Sequence, residues 1–212
     1  EELIAHSVYT IEGGGHAAAT LLEQGCTGLV CASDLMALGA IAERSLLRST
    51  AQPMPTGGTD GFGTLRGDAH EVVAEDGATL HVEVDDAPGA DDITIVLCHG
   101  YALNLDSWHY QREGLRGRAR LVLYDQRSHG RSGRADFDSH HVDQLGRDLG
   151  SVIDSVAPTG PLLLIGHSMG GMTIMALAEQ RPELFADRVY GVGLIATTAG
   201  GTAIGWSPVT SA

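Results

Sequence analysis

The residues best suited to chemistry lie in the stretch LLLIGHSMGGMTIMALAEQRPELF, residues 162–185. A purely apolar segment runs into Gly166-His167-Ser168-Met169-Gly170, and apolar residues at helical spacing follow. A serine at such a junction can serve as a nucleophile. A tight strand-to-helix turn lifts its hydroxyl clear of the sheet, and the small residues Gly166 and Gly170 relieve the crowding that the turn creates. The helix that follows brings its positive end to the serine. The N–H of Met169 is then placed to meet an oxyanion developing on a substrate carbonyl. The plainer alternative is a glycine-rich turn whose serine only caps the helix; the strand before and the helix after are the context that the nucleophile requires.

Two further stretches bear on the same chemistry. In VLCHGYALNLDSW an apolar strand ends at His99-Gly100, which makes the N–H of Tyr101 the expected second oxyanion donor. His99 itself is expected to hydrogen-bond loop backbone rather than act as a base. In LYDQRSHGRS, Asp125, Arg127, His129 and Gly130 are expected to fix the loop after the next strand by polar contacts. The functional alternative there is His129 as the base for Ser168. The pair His140-His141 is expected to start the following helix on its solvent side; the functional alternative is again an unconventional base for Ser168.

These residues need elements to hold them. HEVVAEDGATLHVEV, residues 70–84, reads as a hairpin turned at Asp76-Gly77. ITIVLCHG, ARLVLY, PLLLIG and VYGVGLIA are short apolar runs of the kind found in buried parallel strands. Between them lie the helical candidates LDSWHYQREGL, HHVDQLGRDLGSVIDSVA and GMTIMALAEQ; the second carries Val142, Leu145, Leu149, Val152, Ile153 and Val156 at helical spacing. An antiparallel start followed by βαβ units predicts a mostly parallel sheet with helices on both faces.

Taken together, HGYALNLDSW, YDQRSHGRS, GHSMGGMTIMALAEQRPELF and ADRVYGVGLIAT make residues from about 70 to 200 resemble an α/β-hydrolase-fold protein. The resemblance implies a serine hydrolase acting on carboxylic esters, of esterase or lipase type, with a small-molecule ester substrate and no cofactor. A serine at the elbow argues against the relatives that place an aspartate there. The family order is nucleophile, acid, histidine. All ten histidines of this chain lie at or before His167, and no Asp or Glu follows VYGVGLIA. Asp187 precedes that strand and reads as a surface or capping residue. The chain is therefore expected to stop after about the sixth strand of the family's sheet, leaving an open edge. A catalytically silent fragment that only binds small molecules is the competing reading.

The front of the chain looks different. GGHAAATLLEQG and DLMALGAIAERSLL are helical candidates on either side of the short strand TGLVCAS, a Rossmann-like βα fragment. GLVCASDLMALGAIA resembles the effector-binding domain of LacI/GalR-type regulators. The resemblance implies that Asp34 touches an effector; the alternative is a helix N-cap. The stretch RSTAQPMPTGGTDGFGTLRGD reads as a linker. The expected division is residues 1–48, a linker at 49–68, and a partial hydrolase domain at 69–212, with the front piece packing apart from the hydrolase sheet.

Composition sets the outer limits. The chain has 212 residues, 43% of them hydrophobic and 19% charged, which is ordinary globular composition. Its formal net charge is −14, with arginine as the only basic residue besides histidine, so no nucleic-acid partner is expected. Cys26, Cys31 and Cys98 are odd in number and lack metal-ligand spacing, which points to a reducing, cytoplasmic setting with no disulfide framework and no metal. No apolar run is long enough to span a membrane.

Overall fold

A computed structural model describes residues 28–31, 61–88 and 93–198. Seven strands form one sheet: β1 (Gly28–Cys31), β2 (Asp68–Val73), β3 (Thr79–Asp85), β4 (Thr94–Cys98), β5 (Arg120–Tyr124), β6 (Leu162–His167) and β7 (Val189–Ile195). Their order across the sheet is β1-β7-β6-β4-β5-β3-β2. The β2–β3 hairpin and the β3–β5 pairing are antiparallel, and every other pairing is parallel. The helices are α1 (His109–Leu115), entered through a 3-10 turn at Leu105–Trp108, α2 (Val142–Val156), α3 (Met169–Gln180) and α4 (Pro182–Asp187). The expected α/β architecture is the observed one.

Alternation along the central strands explains the layers. In β4, Val96 and Cys98 join one apolar core and Ile95 and Leu97 the other. In β6, Leu162 and Leu164 face the first core while Leu163 and Ile165 face the second. Successive strand side chains point to opposite faces, so a strand covered on both sides must be apolar throughout. The first core is closed by α2 and α3 through Leu149, Val152, Ile153, Ile174 and Leu177. The two helices approach closely because Gly146 has no side chain; a Cβ there would lie 2.9 Å from that of Ala176. The second core is closed by Leu105, Trp108 and Leu115. The hairpin turns where the sequence marks it: Gly77 has a φ of 87°, and its N–H donates to the Ala74 carbonyl at 2.9 Å.

The front of the chain requires a correction. The sequence places the strand within TGLVCAS apart from the hydrolase sheet; in the structure β1 runs parallel to β7, with Gly28 beside Val192 and Cys31 beside Ile195. The expected open edge at β7 is therefore occupied. An edge strand presents unpaired N–H and C=O groups, and a short apolar run is a ready partner for them. The linker also reads shorter, because Gly61–Gly67 packs onto the body. Leu65 is buried, Phe62 lies against the His109 ring at 5.5 Å, and the Gly67 N–H donates to Glu83 Oε2 at 3.0 Å. The two front helical candidates and Asp34 lie outside the described residues.

Candidate active site

Ser168 stands between β6 and α3 with φ 50° and ψ −114°. A non-glycine residue at positive φ is uncommon and persists only where its surroundings enforce it. The enforcement comes from several sides. The Ser168 N–H donates to the Ile195 carbonyl at 2.9 Å. The Ser168 carbonyl accepts from the N–H groups of Gly171 at 3.0 Å and Met172 at 3.3 Å, and from the Thr197 hydroxyl at 2.7 Å. A Cβ on Gly166 would collide with the backbone of Gly170 and Gly171, and one on Gly170 would collide with the Cys98 carbonyl. The two glycines singled out in the sequence thus allow β6 to turn tightly and α3 to start against the end of β4. Met169 is the first residue of α3, so its N–H has no acceptor within the helix.

The loop after β4 abuts this turn. A Cβ on Gly100 would lie 2.8 Å from His167 Nδ1, so the loop carrying Tyr101 packs directly against the His167 ring. His99 is fully buried and holds that loop from within. Its Nδ1 bonds the Gly100 carbonyl at 2.8 Å, and its Nε2 accepts from the Gln126 N–H at 2.9 Å. Burial pushes the imidazole down to about 4, outweighing the Gly100 carbonyl and the Asp125 carboxylate, so His99 is neutral at pH 7. The structural role expected for it agrees with this geometry. The Gln126 side chain continues the connection, donating to the His99 carbonyl, while the Thr173 hydroxyl of α3 lies 2.9 Å from Gln126 Oε1.

The loop after β5 is fixed by polar contacts. Buried Asp125 accepts from the Leu105 N–H at 2.7 Å and the Arg131 N–H at 2.8 Å, and its carboxylate sits where a Cβ on Gly130 would be. Arg127 is buried and binds Asp148 on α2, Asp76 in the hairpin turn and the Ser139 hydroxyl. Burial alone would lower its pKa; the bonds to Asp148 and Asp76 prevail and raise it. His129 bridges two loops: its Nδ1 bonds the Arg127 carbonyl at 2.9 Å, and its Nε2 accepts from the Ala102 N–H at 3.2 Å. With the hydrogen on Nδ1, the single lone pair of the ring is already committed.

The other residues singled out in the sequence lie elsewhere. His141 caps α2, its Nδ1 accepting from the Gln144 N–H at 3.3 Å, and exposed His140 pairs with Ser128 Oγ at 2.8 Å. Asp187 ends α4 on the surface. Cys98 lies beneath the turn, and burial pushes its thiol up to about 12, which leaves it inert as a nucleophile. Among the described residues no group of His, Cys, Asp or Glu could hold a metal ion, and no helix is long and apolar enough to cross a membrane. Gln126, Thr173 and Thr197 lie within the quoted stretches but were not singled out, because a polar residue whose partner is 29 or 47 residues away carries no spacing signal of its own.

Comparison with known proteins agrees with this architecture. Over 100 residues, 45% of this chain and 35% of the relative, the sequence is 33% identical to the monoacylglycerol lipase of Mycolicibacterium smegmatis. A thermophilic esterase from Thermogutta terrifontis superposes with a TM-score of 0.54 at 26% identity, over 63% of this chain and 47% of that one. This chain therefore spans no more than about half the length of these relatives. A shorter match, 41 residues at 61% identity, is to the HTH-type transcriptional regulator MalR of Streptomyces coelicolor. It covers 19% of this chain and 12% of the regulator, too little to show membership of that family. The model of the alpha/beta hydrolase fold matches residues 93–208, more than half of the 212-residue chain, and with the sheet order and the turn at Ser168 in place the chain belongs to the alpha/beta hydrolase fold family.

Proposed function

We propose that the protein is a serine hydrolase of small carboxylic esters. Ser168 Oγ attacks the ester carbonyl carbon as its proton passes to solvent water, the carbonyl π pair moves to oxygen, and the resulting oxyanion is met by the N–H groups of Tyr101 and Met169. Collapse re-forms the carbonyl, expels the leaving group as its oxyanion, which solvent protonates to the alcohol, and leaves an acyl-serine, which water hydrolyses to the acid and free Ser168. The observation that carries this reading is the positive φ of Ser168 at the head of α3, held from both backbone ends. The named relatives, a lipase and an esterase, support the ester class.

The candidate base, His129, has both nitrogens engaged with loop backbone. His129 is best read as a loop fastener. This favours, as a second reading, a silent member of the family that only binds small molecules. Under the first reading, hydrolysis by these residues is slow and confined to activated esters whose leaving groups need no protonation, driven by oxyanion stabilisation and positioning. Hydrolysis of p-nitrophenyl acetate, compared with a Ser168→Ala variant, separates the two. Loss of the rate with the hydroxyl supports the hydrolase, and an equal rate in both supports the silent reading.

For the front segment we propose descent from a LacI/GalR-type effector domain, with Asp34 as its effector-type residue, and β1 retained as a sheet strand. The cysteine usage supports a cytoplasmic setting.

A further inference from the structure

The end of β7 holds both backbone polar groups of Ser168. The Ile195 carbonyl takes its N–H at 2.9 Å, and the Thr197 hydroxyl donates to its carbonyl at 2.7 Å. Between them Ala196 sits at a φ of 47°, one of four non-glycine residues at positive φ among the described residues, Ser168 being another. The Ser168 carbonyl does not need Thr197 to satisfy it, because it already accepts the helical N–H groups of Gly171 and Met172. What the extra bond adds is direction. A peptide unit is planar, so fixing the Ser168 carbonyl fixes the Met169 N–H at the other end of the same plane.

A separate observation points to the same contact. A Cβ on Gly171 would lie 2.6 to 2.7 Å from Cγ2, Cβ and Oγ1 of Thr197. The second glycine of Gly170-Gly171 therefore has a purpose that the nucleophile turn does not give it: it leaves room for the threonine.

We propose that Thr197 is a positioning residue, aiming the Met169 N–H at the oxyanion through its bond to the Ser168 carbonyl, with Gly171 reserving its place. The inference rests on the serine-nucleophile reading. Two variants test it: Thr197→Val keeps the shape and removes the hydroxyl, and Thr197→Ser keeps the hydroxyl. With p-nitrophenyl acetate, the valine variant is expected to lose about tenfold or more in kcat with KM changed by no more than about twofold, and the serine variant to stay within about threefold of the parent. The backbone 15N resonance of Met169 is expected to move in the valine variant and to hold in the serine variant. A parental kcat in the valine variant, or an equal loss in both, overturns the proposal. Should Ser168→Ala leave the parental rate intact, the nucleophile reading fails by itself. The Met169 resonance then decides the orientation claim, and no movement in the valine variant sinks it.

Discussion

Arg127 and Asp148 meet in the interior through two parallel hydrogen bonds of 2.6 Å, with essentially no exposed surface on either side chain. The pair joins the loop after β5 to α2, and Asp76 extends it to the hairpin turn. Removing one partner of such a pair strands a buried charge, which costs on the order of 3–5 kcal/mol. Asp148→Ala is accordingly expected to lower the thermal midpoint by roughly 10 °C. A midpoint within about 2 °C of the parent, measured by circular dichroism, would show that Asp76 alone suffices for Arg127.

Acid should destabilise the fold in two stages. Burial holds the His99 pKa down at about 4, so between its ordinary value of 6.5 and 4 the unfolded chain binds a proton that the folded chain does not. The contribution of neutral, buried His99 is present above 6.5 and declines as pH falls through that window, by about 2 kcal/mol between pH 7 and pH 5. Below it, Asp76 and Glu83 come into play. The bond to Arg127 lowers Asp76 from 3.8; for Glu83, burial raises the pKa but the bonds to Arg112 and the Gly67 N–H prevail and lower it from 4.5. Their contribution is present above those ordinary values and is lost as pH falls through the depressed folded ones. Urea unfolding at pH 7 and pH 5 checks the first stage, and a folded His99→Asn variant should show a flatter profile between the two.

A methyl group at Gly170 has nowhere to go, because the Cys98 backbone fills the space. Backbone yields less readily than side chain, so Gly170→Ala is expected to cost on the order of 1–3 kcal/mol and to shift the start of α3. Acylation of Ser168 should slow by at least about tenfold, as the geometry of the turn is lost. Unchanged stability and acylation would mean that the turn is looser than the packing shows.

Much of this site was legible in the sequence, and the limits of legibility have a physical cause. Apolar runs marked β4, β5, β6 and β7 because strands buried on both faces admit little else, and Gly166 and Gly170 marked the turn because only glycine fits there. Thr197 was not legible: its partner Ser168 is 29 residues away and its type fits any surface position. The same holds for Thr173 and Gln126, which are 47 residues apart. TGLVCAS reads as a strand from its apolar residues, but nothing in four residues of strand says which edge it joins. That information resides in β7, whose outer edge β1 fills.

His129 offers a direct test of whether an upstream imidazole has been recruited as base. A general base contributes about 10²–10⁴ in rate. With both nitrogens tied to Arg127 and Ala102, His129→Ala should lower p-nitrophenyl acetate hydrolysis by no more than about tenfold. A loss of several orders of magnitude in a folded variant would identify His129 as the base and overturn its reading as a loop fastener.

Ser168 Oγ is the atom proposed to carry the acyl group. Incubation with p-nitrophenyl acetate followed by acid quench and peptide mass spectrometry tests it most directly. An acetyl group is expected on Ser168 in the peptide containing GHSMGG, absent after Ser168→Ala together with the hydrolytic rate. An acetyl group found only on other residues, with hydrolysis undiminished in Ser168→Ala, would contradict it.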